Sequence, residues 1–239
     1  PLEEKSSWTK TGLAAIAKGE VAVLVLSGGQ GTHLGFDGPK GMYDIKLPSG
    51  KTLFQLYAER LFRLQQLASK ANGGKEVKIP WCIMTSPMND QQTKDYFKEK
   101  NFFGLDEADV IFFAQGTLPC FTPEGKMMLE SAGHIGQASD GNGGIYQGLK
   151  ASGSLDNIKS RGVKYVHTYS VDNAICKVAD PAFLGFCLAR NSELGVKVTH
   201  TVCTPNSKSK TRSTTGSSLS SSRPTVVRWV TSTTLEFPR

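Results

Sequence analysis

What this chain lacks narrows its function before any motif is considered. Its 239 residues hold no apolar run of membrane-spanning length, so no helix crossing a bilayer is expected, and no charged-then-apolar leader opens the chain. The cysteines stand apart at 82, 120, 176, 187 and 203. With no C-x-x-C pair they suggest neither a zinc site nor a redox couple. Their mostly apolar surroundings fit reduced core thiols, and hence a cytoplasmic location. The histidines at 33, 134, 167 and 200 show no metal-ligand spacing. No Lys-Ser or Lys-Thr follows a glycine turn at P-loop spacing, which excludes a Walker-type phosphate site. No internal repeat of solenoid period is present.

The net charge of +7 is also less telling than it looks. Residues 199–239 carry six Lys or Arg against one Glu, whereas residues 1–198 carry 22 basic and 20 acidic side chains, a net of only +2. The basicity belongs to the tail. That tail has neither clustered Arg nor interleaved aromatics, so nucleic acid is not an expected partner; nor, without a spanning apolar run, is a membrane. Seventeen of the 36 residues in 204–239 are Ser or Thr. Such a composition buries too little surface to offset ordering entropy, and the segment is expected to be disordered.

What is present is a strong pattern near the start. Val21 to Ser27 is apolar, β-rich and too short for a helix, so it reads as a buried strand. A glycine-dense turn follows at Gly28, Gly29 and Gly31. Glycine lets the backbone approach a ligand closely, and successive peptide N–H groups in such a turn make an anion cradle. Lys40, after Pro39, can bring a full positive charge to a phosphate. The G-x-G-x-x-G pattern itself is only partly met, with Leu34 at the third glycine position; by itself it is equally a plain tight turn.

Further along, Leu53 to Ala68 carries apolar residues at three- and four-residue spacing behind Thr52, an N-cap candidate. Residues 2–19, 90–100, 142–149 and 181–189 also read as helices. Residues 81–85, 110–113, 164–171 and 196–202 read as strands. This alternation implies an α/β fold, a parallel sheet with helices on both faces, with ligands bound at the carboxyl ends of the strands. Residues 1–203 are read as one nucleotide-binding α/β domain in which 1–20 is a helical lead-in, and 204–239 as the tail.

The longer strings are far more specific. Gly28-Gly29-Gln30-Gly31-Thr32-x-Leu34-Gly35 with Pro39-Lys40-Gly41-Met42-Tyr43 is followed by Pro80-Trp81-x-Ile83-Met84-Thr85-Ser86. Val110 to Pro119, Asp140-Gly141-Asn142-Gly143-Gly144 and Val171-Asp172-Asn173 with Lys177 to Pro181 complete the set. In this order, over about residues 8 to 198, they resemble the UDP-sugar pyrophosphorylase family and in particular its UDP-N-acetylglucosamine pyrophosphorylase branch. The resemblance implies a Rossmann-like nucleotide-diphospho-sugar transferase sheet, C-terminally truncated here because family members continue beyond it. It implies a uridylyltransferase that joins UTP and N-acetylglucosamine 1-phosphate with Mg²⁺ as cofactor. Leu26, Ser27, Gly28, Gly29, Gly31, Thr32, Lys40, Gln115, Gly141 and Asp172 would bind the nucleotide. Asn142 would bind the sugar, Asp172 the metal, and Lys40 and His33 would be catalytic. Asp140 is a weaker loop candidate, and Asp180-Pro181 reads more simply as a helix start.

One departure stands out: where the family has arginine after Gly-Thr, this chain has His33. Arginine is always charged and offers a rigid donor fork to phosphates, whereas an unperturbed imidazole is mostly neutral at pH 7. Weak catalysis is therefore expected. The competing reading is a nucleotide-binding remnant with little or no turnover; a nucleic-acid binder acting through the basic tail is a third.

Overall fold

A computed structural model describes residues 2–197 and 228–232. α1 (Leu2–Ala17) leads into β1 (Val21–Leu26), followed by α2 (Leu53–Ala71), β2 (Trp81–Thr85), α3 (Asp90–Glu99) and β3 (Val110–Ala114). An excursion of short strands comes next: β4 (Thr117–Pro119), β5 (Leu129–Ser131), β6 (His134–Ile135) and β7 (Gln137–Ser139). The chain then runs through α4 (Gly144–Ala151), α5 (Ser154–Ser160), β8 (Tyr165–Ser170), α6 (Pro181–Ala189), β9 (Leu194–Val196) and β10 (Arg228–Ser232). The main sheet has the order β3-β2-β1-β8-β10-β9, and every neighbouring pair is parallel.

β1 shows why a continuous apolar run was needed. Val21, Val23 and Val25 face one core with Trp81, Ile83, Phe54 and Tyr57. Ala22 and Leu24 face the other, with Cys82, Met84, Phe113, Ile145 and Leu149. A strand covered on both sides has no polar face to alternate with. The chain leaves β1 toward β2 and β3 on one side and returns through β8 on the other, so the strand order reverses at β1. That reversal is where parallel α/β sheets open a crevice at their carboxyl ends.

Local signals act as read. Thr52 caps α2, its hydroxyl accepting from Gln55 N at 3.4 Å, and Asp180 caps α6, accepting from Ala182 N at 3.1 Å ahead of Pro181. Three features differ from the sequence reading. α5 and the short strands β4 to β7 were not anticipated. The strand expected at 196–202 begins earlier, at Leu194, and its portion from 198 lies outside the described residues. Within the tail 204–239, expected to be disordered, Arg228–Ser232 instead forms β10 between β8 and β9. Its sequence is rich in strand-favouring types, and two parallel neighbours supply its backbone partners. The rest of the tail lies outside the described residues.

His167 lies in the middle of β8, fully buried, with Nδ1 accepting from Ala179 N at 3.3 Å and its ring stacked on Tyr169. Burial pushes its pKa down to about 4, only partly opposed by the nearby Asp180 carboxylate, while Lys197 adds to the depression. The unfolded chain takes up that proton near pH 6.5, so between about pH 6.5 and 4 the unfolded state binds more protons than the folded one. Stability should therefore rise with pH through that window and fall on acidification, by on the order of 3 kcal/mol between pH 7 and pH 4. Urea titrations across this range should show the slope flatten in His167→Gln, which has no titrating group there.

Candidate nucleotide site

The candidate site at the carboxyl ends of β1 and β8 is built from the glycine turn outward. Ser27 is buried, and both its N–H and its hydroxyl donate to Met84 O, at 3.0 and 2.9 Å, which locks the end of β1 to β2. Gly28 follows against the side chain of Gln115. A Cβ placed on Gly28 would run into Gln115 Nε2 and stand 2.9 Å from its Cδ, so only glycine fits while Gln115 holds this place. The loop then doubles back. Gly31 N donates to Gly38 O at 2.8 Å and Lys40 N to Gly29 O at 3.2 Å, and Gln30 pairs with Pro39 in an antiparallel bridge. The N–H groups of Gly28, Gly29 and Gln30 have no acceptor among the described residues. Three successive unpaired donors in a turn are the groups from which anion-binding nests are built.

The same doubling-back carries Lys40 over the turn, its Cε 3.4 Å from the position a Gly29 Cβ would take. Its ammonium donates to Asp172 Oδ2 at 3.2 Å. Asp172 follows β8, at the other strand end flanking the crevice, and also takes a long 3.5 Å bond from Ser170 Oγ. Tyr57 of α2 holds this turn from beneath, its hydroxyl donating to Val171 O at 2.9 Å. Burial drives the Tyr57 phenol far above its ordinary range, so it stays a donor. Arg60 adds a bond from Nη1 to Cys176 O at 3.1 Å.

On the other flank, Gln115 is 5% exposed. Its N–H donates to Thr85 O at 2.9 Å, while its Oε1 is buried without a partner among the described residues. A buried amide oxygen left open is costly unless something else meets it. Asp140 N donates to Gly116 O at 3.0 Å, tying the segment after β3 to the loop before α4. Gly141 sits at φ +80°, a backbone shape that favours glycine, and Asn142 is exposed beside it.

Linked through Gly116, which was not among them, predicted residues thus form one continuous arc: Gly141 and Asp140, Gln115, Gly28 and Gly29, Lys40, Asp172. Leu26 closes it from below, its carbonyl accepting from Val171 N at 3.1 Å. Thr32 opens the short turn Thr32–Leu34 and is exposed. The His33 side chain lies outside the described residues. Sequence reading missed Asn89, which is fully buried and bonded into the glycine turn. Its place before α3 reads as a helix cap, and nothing in one sequence shows which loop packs above it.

The family described as UDPGP, UTP–glucose-1-phosphate uridylyltransferase, matches residues 3–208. The chain belongs to the UDPGP family. This UDPGP chain is 48% identical over 200 residues to UDP-N-acetylglucosamine diphosphorylase 2 of Arabidopsis thaliana, covering 82% of this chain and 40% of that one. It is 45% identical over 196 residues to the UDP-N-acetylglucosamine pyrophosphorylase of Saccharomyces cerevisiae, with the same coverage of 82% and 40%. Among solved structures, a putative UDP-N-acetylglucosamine pyrophosphorylase from Entamoeba histolytica superposes with TM-score 0.79 at 35% identity, covering 84% of this chain and 50% of that one. The Trypanosoma brucei uridine diphosphate N-acetylglucosamine pyrophosphorylase, in complex with inhibitor, gives 0.77 at 33% identity over 82% and 40%. The chain therefore spans about two fifths of the length of the curated relatives it matches. The nucleotide-diphospho-sugar transferase fold inferred from its motifs is the fold of these relatives.

Proposed function

We propose that this UDPGP chain carries the nucleotide half of a uridylyltransferase site that joins UTP and N-acetylglucosamine 1-phosphate, releasing pyrophosphate. The observation that carries the reading is the convergence of Lys40 and Asp172 over a turn with three free N–H donors. In the reaction a phosphate oxygen of the sugar phosphate bonds to the α-phosphorus of UTP as the bond to the pyrophosphate oxygen breaks. The attacking phosphate is already ionised, so no general base is needed. The difficulty is crowded negative charge, and positioning plus neutralisation is what the site must supply. The Gly28–Gln30 donors and the Lys40 ammonium suit the triphosphate. The open Gln115 amide suits the edge of uracil, since it can both accept and donate. Asn142, on the exposed loop, suits the sugar.

Among the described residues no three His, Cys, Asp or Glu side chains cluster as a metal cage. Asp172 alone is nonetheless the donor set of a Mg²⁺ held jointly with substrate phosphates, because that ion keeps few protein ligands. When bound it would supply charge neutralisation at the phosphates. No described helix is long and apolar enough to cross a membrane, and Cys82, Cys120, Cys176 and Cys187 form no disulfide among the described residues, which supports a reducing, cytoplasmic setting.

Calorimetry of UTP with and without Mg²⁺ tests the reading. Binding strengthened by Mg²⁺ is expected, and Lys40→Ala should weaken it roughly tenfold to a hundredfold, the range of a charge-assisted hydrogen bond. A folded chain with no UTP affinity would overturn it. Turnover with N-acetylglucosamine 1-phosphate then separates an enzyme from a binding remnant. His33 leaves the cradle without the fixed charge that the family arginine would bring, so binding should exceed what catalysis reveals.

A further inference from the structure

The turn between β2 and α3 contributes no group to the arc of proposed ligand contacts, yet it grips that arc from behind. Asn89 is the centre of the grip. It is fully buried, its Oδ1 accepts from Ser86 N at 2.8 Å, and its N–H donates to Ser86 O at 3.0 Å. The carboxamide is thereby fixed to its own turn. Its Nδ2 then points the other way, donating to Ser27 O at 3.2 Å and to Gly29 O at 3.4 Å. These two carbonyls flank Gly28. With both carbonyls drawn toward Asn89, the intervening peptide groups are oriented as a set. The same turn sets the base side: Thr85 O accepts from Gln115 N, and the Thr85 hydroxyl reaches Phe113 O at 3.2 Å and Asp90 Oδ1 at 2.5 Å.

We infer that Asn89 is a positioning residue for the phosphate turn: its amide donor holds the carbonyls of Ser27 and Gly29 so that the free N–H groups of Gly28–Gln30 face a triphosphate. This rests on the nucleotide reading above. A carboxamide is the side chain suited to the place, because one end must accept from Ser86 N while the other donates to two carbonyls. A carboxylate would accept at both ends, and an alkyl group would leave both carbonyls without that partner.

The test compares UMP, UDP and UTP, each with Mg²⁺, on the parent chain and on Asn89→Ala. UTP affinity is expected to fall roughly tenfold and UMP affinity to change by less than about twofold, since the residue acts on the phosphate cradle and not on the base. An equal loss for all three nucleotides would assign Asn89 to general structure and overturn the inference. Asn89→Asp keeps the shape and the bond from Ser86 N but faces both carbonyls with an anion. It should lose more UTP affinity than the alanine variant near pH 8 and recover as the pH falls, when the protonated carboxyl donates again. A folded Asn89→Asp chain that binds UTP like the parent at pH 8 would also overturn it.

A nucleotide-free readout separates this inference from the functional reading. The Gly31 amide, bonded to Gly38 O, should exchange with deuterium roughly tenfold faster in Asn89→Ala while the amides of β1 stay protected. Unchanged exchange there would sink the brace even if UTP binds. Faster exchange in a chain that never binds UTP would leave the brace standing and sink the nucleotide reading.

Discussion

Gly185→Ala is expected to lower the thermal midpoint by roughly 10 °C, a loss of about 3 kcal/mol or more. The cause is the crossing of α1 and α6, where two helices touch backbone to backbone. A Cβ on Gly185 would overlap the Trp8 carbonyl oxygen and stand 2.8 Å from Trp8 Cα. One turn further along α1, a Cβ on Gly12 would overlap Pro181 O and stand 2.9 Å from Gly185 N. Every one of these neighbours is main chain, so no rotamer change relieves the contact and a whole helix must move. Moving it would disturb the packing of Ile16, Leu184 and Cys187 into the sheet core and the edge-on contact of Trp8 with Phe186. Gly143→Ala is the control. Gly143 has φ −66° and nothing within 4 Å of its missing Cβ, so its midpoint should hold or rise slightly. Differential scanning calorimetry of both variants checks the contrast; similar midpoints would show that the α1–α6 crossing tolerates a wider spacing.

Those two helices illustrate what one sequence can and cannot give. Pro181 after Asp180 announces the start of α6, and its apolar content announces burial. Nothing local says that Gly185 will meet Trp8, because the contact joins residues more than 170 positions apart. The same holds at the site. β1 and β2 were legible because both faces of each are buried, leaving short unbroken apolar runs. The closeness of Lys40 to the glycine turn was legible because only a short loop separates them, and that loop doubles back to lay Lys40 Cε 3.4 Å from the position of a Gly29 Cβ. Asn89 was not, since its cap position is local but its two carbonyl partners are not. Phe102 and Phe103 take φ of 49° and 54°, a left-handed shape that bulky residues rarely adopt. Packing of both rings against Phe97 overrides the local preference. β10 was hidden by its company: three strand-favouring residues, Trp229, Val230 and Thr231, set in a tail dominated by Ser and Thr.

Asp172→Asn should move UTP affinity in opposite directions with and without Mg²⁺, and that crossover is the sharpest test of the site. In the unliganded chain the Asp172 carboxylate holds the Lys40 ammonium at 3.2 Å. A triphosphate arriving without metal must take Lys40 from that partner and bear a negative charge beside it. Neutralising Asp172 removes both obstacles, so metal-free binding should tighten about tenfold. With Mg²⁺ present the same carboxylate would, on the proposed reading, hold a cation shared with the phosphates. Its loss should then weaken binding by one to two orders of magnitude. Folding should barely notice, because the Lys40–Asp172 pair is solvent-accessible, at 23% and 49% side-chain exposure, and such pairs contribute little to stability. Calorimetric titrations in EDTA and in millimolar Mg²⁺ separate the two arms. An equal loss of affinity in both buffers would make Asp172 a prop for the turn after β8. Equal gains would leave Lys40 as its only functional partner and remove the metal from this site.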